Sequence, residues 1–152
     1  MPGNVDPIFS KQGNASNTGI WTSALTANVK SDGAGTIATD MVKVFTAGAN
    51  GAYIDRIRLF PSASVASTAT TATCARFYTS TVTSGATART DTFPFAEIAL
   101  PSQTADAPTT SVGFLEIPCD FVLPASQTIL FSMHHAAAAN TSWQVTVFGG
   151  DY

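Results

Sequence analysis

The sequence predicts an all-β protein: a single-domain antiparallel β-sandwich, jelly-roll-like, with an extended N-terminal arm. About eight short segments rich in β-branched and aromatic residues recur at roughly 8–15-residue spacing, with Gly, Pro and Asn turns between them. The chain of 152 residues has the length of one domain. Its helix-friendly run, residues 136–139, is too short to nucleate a helix.

The first residues predict an arm rather than a packed element. Residues 1–19 are rich in Asn, Gly, Ser and Pro, and Val5, Ile8 and Phe9 are their sizeable apolar groups. The first strand is predicted over residues 20–27, with Trp21 as a large apolar residue at the root of the arm. We therefore expect an arm over residues 1–19 and a sandwich domain over residues 20–152.

Residues 41–46 and 52–60 are predicted to form a β-hairpin. Asn50-Gly51 lies between them, and both residue types tolerate the positive φ angles of tight hairpin turns. In the second strand, Ile57 and Leu59 share one face, and Arg56 and Arg58 share the other. This alternation is typical of a half-buried strand, which we expect Pro61 to end.

The rest of the chain continues the strand pattern. Residues 62–73 are mostly Ser, Ala and Thr, which favours either a loop or a weak edge strand. Trp143 alternates in phase with Val145 and Val147, so we expect it in the core. Strands are predicted over residues 75–82, 93–100, 112–117, 121–123, 129–133 and 143–148.

Composition excludes several classes of protein. Hydrophobic residues make up 45% of the chain, but charged residues only 11%, against about 25% in typical domains. A charged disordered chain and a coiled coil are excluded. The net charge of −3 disfavours a nucleic-acid partner, which needs clustered cations. A weakly charged, Thr-rich β surface suits a protein in an assembly, and a lectin-like surface almost as well.

Targeting and redox signals are absent from the sequence pattern. The start MPGNVDP has neither a basic nor an apolar run, so we expect no secretory signal and synthesis in a cytoplasm. No stretch approaches the roughly 20 apolar residues of a membrane span, so we expect no membrane partner. Cys74 and Cys119 are isolated, which favours small buried hydrophobes over a disulfide or metal pair.

The residues that could carry chemistry do not converge. His134 and His135 are adjacent, and adjacent strand residues point to opposite faces, which favours a strand-end pair over a metal site. Glu97 and Glu116 occupy outward positions of two strands, rather than forming a glycosidase dyad. No nucleophile elbow, phosphate loop or dinucleotide fingerprint occurs. We therefore expect no enzyme activity, metal or cofactor.

A local charge group stands out in this weakly charged chain. Asp55, Arg56 and Arg58 lie on one predicted strand. They form either a solvated face with exposed ion pairs or part of an interface, where Arg is enriched. Our candidates for a subunit interface are Asp55, Arg56, Arg58 and Tyr152.

Three segments carry a resemblance to a known family. Residues 44–58 (VFTAGANGAYIDRIR), 121–125 (FVLPA) and 143–152 (WQVTVFGGDY) resemble segments of small tailed-bacteriophage virion proteins, the head decoration or cement proteins. The resemblance covers most of residues 36–152, and its motifs are structural rather than catalytic.

The resemblance implies a β-sandwich, often a homotrimer, bound to the outer surface of an expanded capsid. There it would cap sites where copies of the major capsid protein meet. An arm that orders on binding adds contact area. We therefore expect Val5, Ile8, Phe9 and Trp21 to contact the capsid or a neighbouring copy.

Two other classes of function remain open at this stage. A carbohydrate-binding or adsorption module needs exposed aromatic side chains, and Tyr53, Tyr78 or Tyr152 would have to supply them. A tail component shares the structural class of a head protein.

Overall fold

The structure, a computed structural model, describes residues 25–105 and 113–152 together with the backbone of residues 20 and 21. This part of the chain contains strands and no helix, as predicted. Its twelve strands are β1 Ile20–Trp21, β2 Gly35–Thr36, β3 Met41–Thr46, β4 Ala52–Ala63, β5 Thr68–Ala69, β6 Thr73–Ser80, β7 Ala86–Thr87, β8 Thr92–Leu100, β9 Thr104–Ala105, β10 Leu115–Leu123, β11 Thr128–Met133 and β12 Thr141–Asp151.

Eight of these strands form two four-stranded antiparallel sheets. Sheet I has the order β1-β12-β4-β10, and sheet II has the order β3-β11-β6-β8. If only these eight strands are numbered from 1 to 8 along the chain, their spatial order is 1-8-3-6 in sheet I and 2-7-4-5 in sheet II. Two small sheets, β2-β7 and β5-β9, lie outside this pair.

The core lies between sheet I and sheet II. Alternate residues of β4 and β12 face inward, so Ile57, Leu59 and Val145 are fully buried. Trp143 is also buried, which confirms its predicted place. Aromatic contacts join the two sheets, since the rings of Phe95 on β8 and Phe121 on β10 have centroids 5.2 Å apart.

The predicted hairpin at Asn50-Gly51 is wrong. β3 pairs with β11 in sheet II, whereas β4 pairs with β10 and β12 in sheet I. The predicted type of tight hairpin turn needs a positive φ at both central residues. Gly51 has a φ of +90°, but Asn50 does not have a positive φ. The Gly51 amide donates to the Gly48 carbonyl over 3.1 Å, and this turn carries the chain from one sheet to the other.

Two prolines do not end strands as predicted. β4 continues through Pro61, and β10 passes through Pro118 and so joins two predicted strands. β4 pairs with β10 no further than Leu59, so beyond it only the β12 side of β4 is paired. Within the described ranges β10 is an edge strand, and edges tolerate a residue without an N–H.

A β-bulge interrupts the centre of sheet I. Arg56 pairs with Phe148, but the next pair along is Ile54 with Gly149, so Asp55 is the extra residue. The burial phase of β4 shifts at this point. Gly149 is required there, because a Cβ atom would lie 2.2 Å from the Tyr53 carbonyl oxygen.

A strap formed by residues 25–40 covers the outer face of sheet II. Tyr78 and Leu130 of that face are fully buried, and Ile37 of the strap packs on them. The predicted strand over 20–27 is therefore too long: only Ile20–Trp21 is a strand, residues 22–24 lie outside the described part, and residues 25–27 belong to the strap.

Candidate protein-interaction surface

The outer face of sheet I is the candidate interaction surface, and we name it the Phe/Arg face. β4 places Arg56, Arg58 and Phe60 on it because alternate strand residues share a face. Around them lie side chains of β10, of β12 and of the residue before β10: Phe114, Glu116, Pro118, Val122, Thr146 and Phe148.

Ion pairs connect the charged groups of this face. Glu116 lies directly opposite Arg58 in the register of β10 with β4. Its Oε2 atom accepts from Arg58 Nη2 at 2.9 Å and from Nε at 3.2 Å. Arg56 Nε lies 3.3 Å from the same oxygen, and Arg56 also pairs with Asp55. Two arginines and two carboxylates therefore balance, and the centre of the face has little net charge.

Aromatic rings hold the two guanidinium groups from the sides. Arg58 Cζ lies 4.1 Å from the ring centroid of Phe114, and Arg56 Cζ lies 4.5 Å from that of Phe148. Arg58 is also 5.0 Å from the Phe148 ring centroid. Such cation–π contacts contribute about 0.5–1 kcal/mol each at exposed positions. They fix the arginines against the sheet rather than leaving them extended into water.

Large apolar side chains on this face remain exposed to solvent. Phe60 is 41% exposed, Phe114 is 52% exposed and Val122 is 57% exposed. Exposed apolar groups with Arg and aromatic residues beside them are the composition that marks protein interfaces. The ion pairs thus belong to a surface that also carries the expected chemistry of an interface.

A second polar group lies at the end of sheet I where β12 ends, next to the last residues of the chain. The Tyr53 hydroxyl donates to Asp120 Oδ1 over 2.5 Å, and this hydrogen bond raises the pKa of Tyr53. The side chain of Asn50 donates to the backbone carbonyl of Tyr152 over 3.4 Å. Tyr152 itself is 39% exposed.

The structure brings the predicted interface residues together on one sheet. Asp55, Arg56 and Arg58 meet at the Phe/Arg face, and Tyr152 lies at the end of the same sheet. Of the predicted arm contacts, Val5, Ile8 and Phe9 lie outside the described residues. The backbone of Trp21 pairs with Gln144 in β12, so Trp21 belongs to the edge of sheet I.

Sequence reasoning missed the phenylalanines of this face. Phe60 is in phase with Arg56 and Arg58, so alternation alone could have placed it beside them. Phe114 precedes β10 and Phe148 lies on β12, and both are far from β4 in the sequence. Their meeting with the arginines depends on the sheet order, which no local pattern reveals.

A second cluster of charged groups centres on Arg76 of β6. Its Nη1 atom donates to the carbonyls of Asn28 and Lys30 at 3.2 Å each, which ties the strap to sheet II. Its Nε atom lies 2.6 Å from Glu97 on β8. Arg76 thereby lowers the pKa of Glu97. Only 11% of the Arg76 side chain is exposed, so this cluster is structural.

The two glutamates face outward on different sheets, which confirms their predicted orientation. Glu97 pairs with Arg76 on sheet II, and Glu116 pairs with Arg56 and Arg58 on sheet I.

The structure confirms the predicted strand-end pair of histidines, but their side chains do not point to opposite faces. His134 and His135 follow the end of β11, and their rings touch edge to face with centroids 4.7 Å apart, because the extended strand geometry that separates neighbours has ended. His134 Nδ1 lies 3.4 Å from Arg76 Nη2. Among the described residues no group of three or more His, Cys, Asp or Glu side chains could hold a metal ion.

The two cysteines are free thiols on different sheets. Cys74 lies on β6 of sheet II and Cys119 on β10 of sheet I, and both are half-buried. Burial, with the nearby Asp55 carboxylate, raises the pKa of Cys119 to about 11. Such a thiol stays protonated and unreactive at neutral pH.

One candidate for glycan stacking is excluded by burial. Tyr78 is completely buried beneath the strap, so it cannot stack on a sugar. Its hydroxyl contacts the Lys30 carbonyl at 3.4 Å and Ser132 at 3.3 Å. Tyr53 and Tyr152 remain accessible at the end of sheet I.

No family model, curated protein or solved structure matches this chain. In the described part of the chain, no helix is long and apolar enough to cross a membrane.

Proposed function

We propose that this protein is a structural virion protein: a decoration, or cement, protein on the outside of a bacteriophage head. Its partner is the major capsid protein, and its role is to stabilise contacts between capsid subunits. The resemblance of residues 44–58, 121–125 and 143–152 to head decoration proteins supports the capsid as the site of action. In this proposal it acts without catalysis, cofactor, nucleic acid or membrane.

The Phe/Arg face is the observation that carries the proposal. It combines exposed Phe60, Phe114 and Val122 with arginines that are already fixed by ion pairs and ring contacts. A protein partner that covers this face buries the apolar groups and meets charges that lose little side-chain entropy on binding. An assembly protein therefore accounts for this surface better than an isolated monomer does.

The topology and the oligomer belong to the same proposal. The strand order 1-8-3-6 and 2-7-4-5 is the order expected for eight strands folded as a jelly roll. The homotrimer in this proposal is what the resemblance implies. A trimer would make several weak capsid contacts at once, and together these bind tightly through effective concentration.

A second candidate function has one observation in its favour. Tyr53, hydrogen-bonded to Asp120, and Tyr152 present two accessible rings near a carboxylate at one end of sheet I. An aromatic ring next to a hydrogen-bonding carboxylate suits carbohydrate. This would make the protein a carbohydrate-binding or tail adsorption module of the virion, and binding to a glycan array by the free protein supports that alternative.

A matched pair of substitutions tests the proposed role. Phe114→Ser removes an exposed ring from the Phe/Arg face, and Phe93→Ser removes an equally exposed ring, 54% against 52%, from sheet II. Binding to purified heads that lack the protein is measured for each variant. We expect Phe114→Ser to weaken binding about tenfold and Phe93→Ser to leave it unchanged. Equal binding by wild type and both variants contradicts a role for this face, and no binding by the wild type contradicts the capsid partner.

A further inference from the structure

We propose that the Phe/Arg face is covered by the N-terminal arm, residues 1–19, of a neighbouring copy of this chain. The inference deepens the proposed function and rests on its oligomer, because it names the surface and the segment that join the copies.

The position of the arm is the first argument. It precedes β1, which is the edge strand of the same sheet that carries the face. Ile20 pairs with Val145 and Trp21 with Gln144, so the chain enters β1 from the side of the sheet where Asp151 lies. β1 and β10 are opposite edges of sheet I, so the arm starts at the edge farthest from Phe114 and Val122 of its own copy. A neighbouring copy packed beside β1 can present these side chains at a shorter distance.

The reach of the arm is sufficient. Ile20 follows Phe9 by eleven residue steps. Fully extended they span up to about 36–40 Å. A four-stranded sheet is about 14 Å wide between its outer strand axes. The apolar residues of the arm can therefore leave their own sheet and cross the neighbour's face to Phe114 and Val122.

The chemistry of arm and face also matches. Val5, Ile8 and Phe9 are apolar residues in an otherwise polar segment, and the face offers exposed apolar side chains for them to contact. The arm carries one Asp and one Lys, and the ion-paired centre of the face is also close to neutral. A weakly charged segment docks there without having to break the pairs of Glu116.

The symmetry of such a contact fits a closed ring. Two identical faces that meet directly form a two-fold dimer, whereas an arm on a neighbour's face is a head-to-tail contact. Head-to-tail contacts close into a ring of three when the rotation is right. The arm is therefore the occupant that agrees with the proposed trimer.

Photocrosslinking of the full-length protein tests this inference. Phe9 is replaced by benzoyl-phenylalanine, and these copies are mixed with isotope-labelled copies that lack the probe. We expect adducts between light arms and heavy chains, mapped to residues 56–60 or 114–122. Phe114→Ser, and separately Phe60→Ser, in the heavy chain should lower the yield severalfold, while Phe93→Ser leaves it unchanged.

Three results overturn the inference: adducts confined to one chain, adducts spread equally over sheet II, or no adduct on the face. A capsid contact of the arm alone, seen as adducts only to the major capsid protein on heads, also overturns it. Binding of the same protein to heads is measured in parallel. If the protein binds heads but no crosslink forms on the Phe/Arg face, the inference about the arm is wrong and the proposed function stands. If crosslinks form on the Phe/Arg face but the protein does not bind heads, the proposed function is wrong and the inference about the arm stands.

Discussion

At the scale of single residues, Arg76 holds several parts of the fold together. It joins three separate parts of the chain: the strap at Asn28 and Lys30, Glu97 on β8, and His134 after β11. A buried cation is stable only when its donors are used, and here the guanidinium is surrounded by acceptors.

Removal of this side chain should destabilise the protein. Arg76→Ala leaves the two strap carbonyls and the Glu97 carboxylate without their donor, so we expect the free energy of unfolding to fall by about 2–4 kcal/mol. Arg89→Ala, at an exposed position, is the matched control and should change it by less than about 0.5 kcal/mol. Urea denaturation measures the free energy of unfolding of both variants. An equal decrease of this free energy in the two variants would refute the role of Arg76.

The ion pair between Arg76 and Glu97 makes the stability of the protein depend on pH. Arg76 lowers the pKa of Glu97, so the native state favours the ionised carboxyl. The stability that this provides is present above the unfolded pKa, about 4.3, and disappears as the pH falls through the lower native pKa. We expect Glu97→Gln to be less stable than wild type at pH 7 and equally stable in acid, by unfolding curves from pH 7 to 2. A constant difference over that range is the contrary result.

Residue-scale predictions from sequence succeed where a residue's own strand decides its environment. Trp143 is in the core and Glu97 and Glu116 face out because alternation fixes their sides. The prediction fails for Tyr78, since the strap that buries it comes from residues 25–40. The strand-end position of the two histidines is correctly predicted, but their expected placement on opposite faces fails because β11 ends before them.

At the scale of elements, the bulge in sheet I sets the position of the Phe/Arg face. The extra residue Asp55 changes the phase of β4, so Tyr53 and Arg56 both point outward although they are three residues apart. Gly149 makes this possible on the neighbouring strand, because its missing side chain admits the Tyr53 carbonyl.

A glycine pair tests the bulge. Gly149→Ala places a Cβ atom 2.2 Å from the Tyr53 carbonyl oxygen, so the strands must separate. We expect a loss of about 2–4 kcal/mol in unfolding free energy. Gly113→Ala, with nothing within 4 Å of the new atom, should be close to neutral. Thermal denaturation compares them, and wild-type stability for Gly149→Ala would show that the bulge does not need its glycine.

Most strands are foreseeable from period-two patterns, but the pairing is not. The segments 41–46, 52–60 and 93–100 fall within or close to real strands. The Asn-Gly turn predicts a hairpin from local chemistry alone. In the structure β3 belongs to sheet II and β4 to sheet I, because each buries its apolar side chains from a different side of the core. Pro118 predicts a strand end only because the sequence does not show that β10 is an edge.

At the scale of the whole molecule, the two sheets differ in how their outer faces are covered. The strap buries the outer face of sheet II, whereas Phe60, Phe114 and Val122 of sheet I stay exposed. Because of this asymmetry, we relate the low charge content of the chain to the exposed outer face of sheet I. The sequence predicts a surface suited to assembly, and the sheet order makes the outer face of sheet I our candidate for it.

Our central proposal, that this protein decorates a phage head, is tested most directly by its position and copy number on purified virions. The measurement is cryo-electron microscopy of the phage particles in which the proposed function places this protein. We expect density on the outer surface of the head, in groups of three, with the Phe/Arg face covered. Density confined to the tail, or particles that lack the protein, would contradict it.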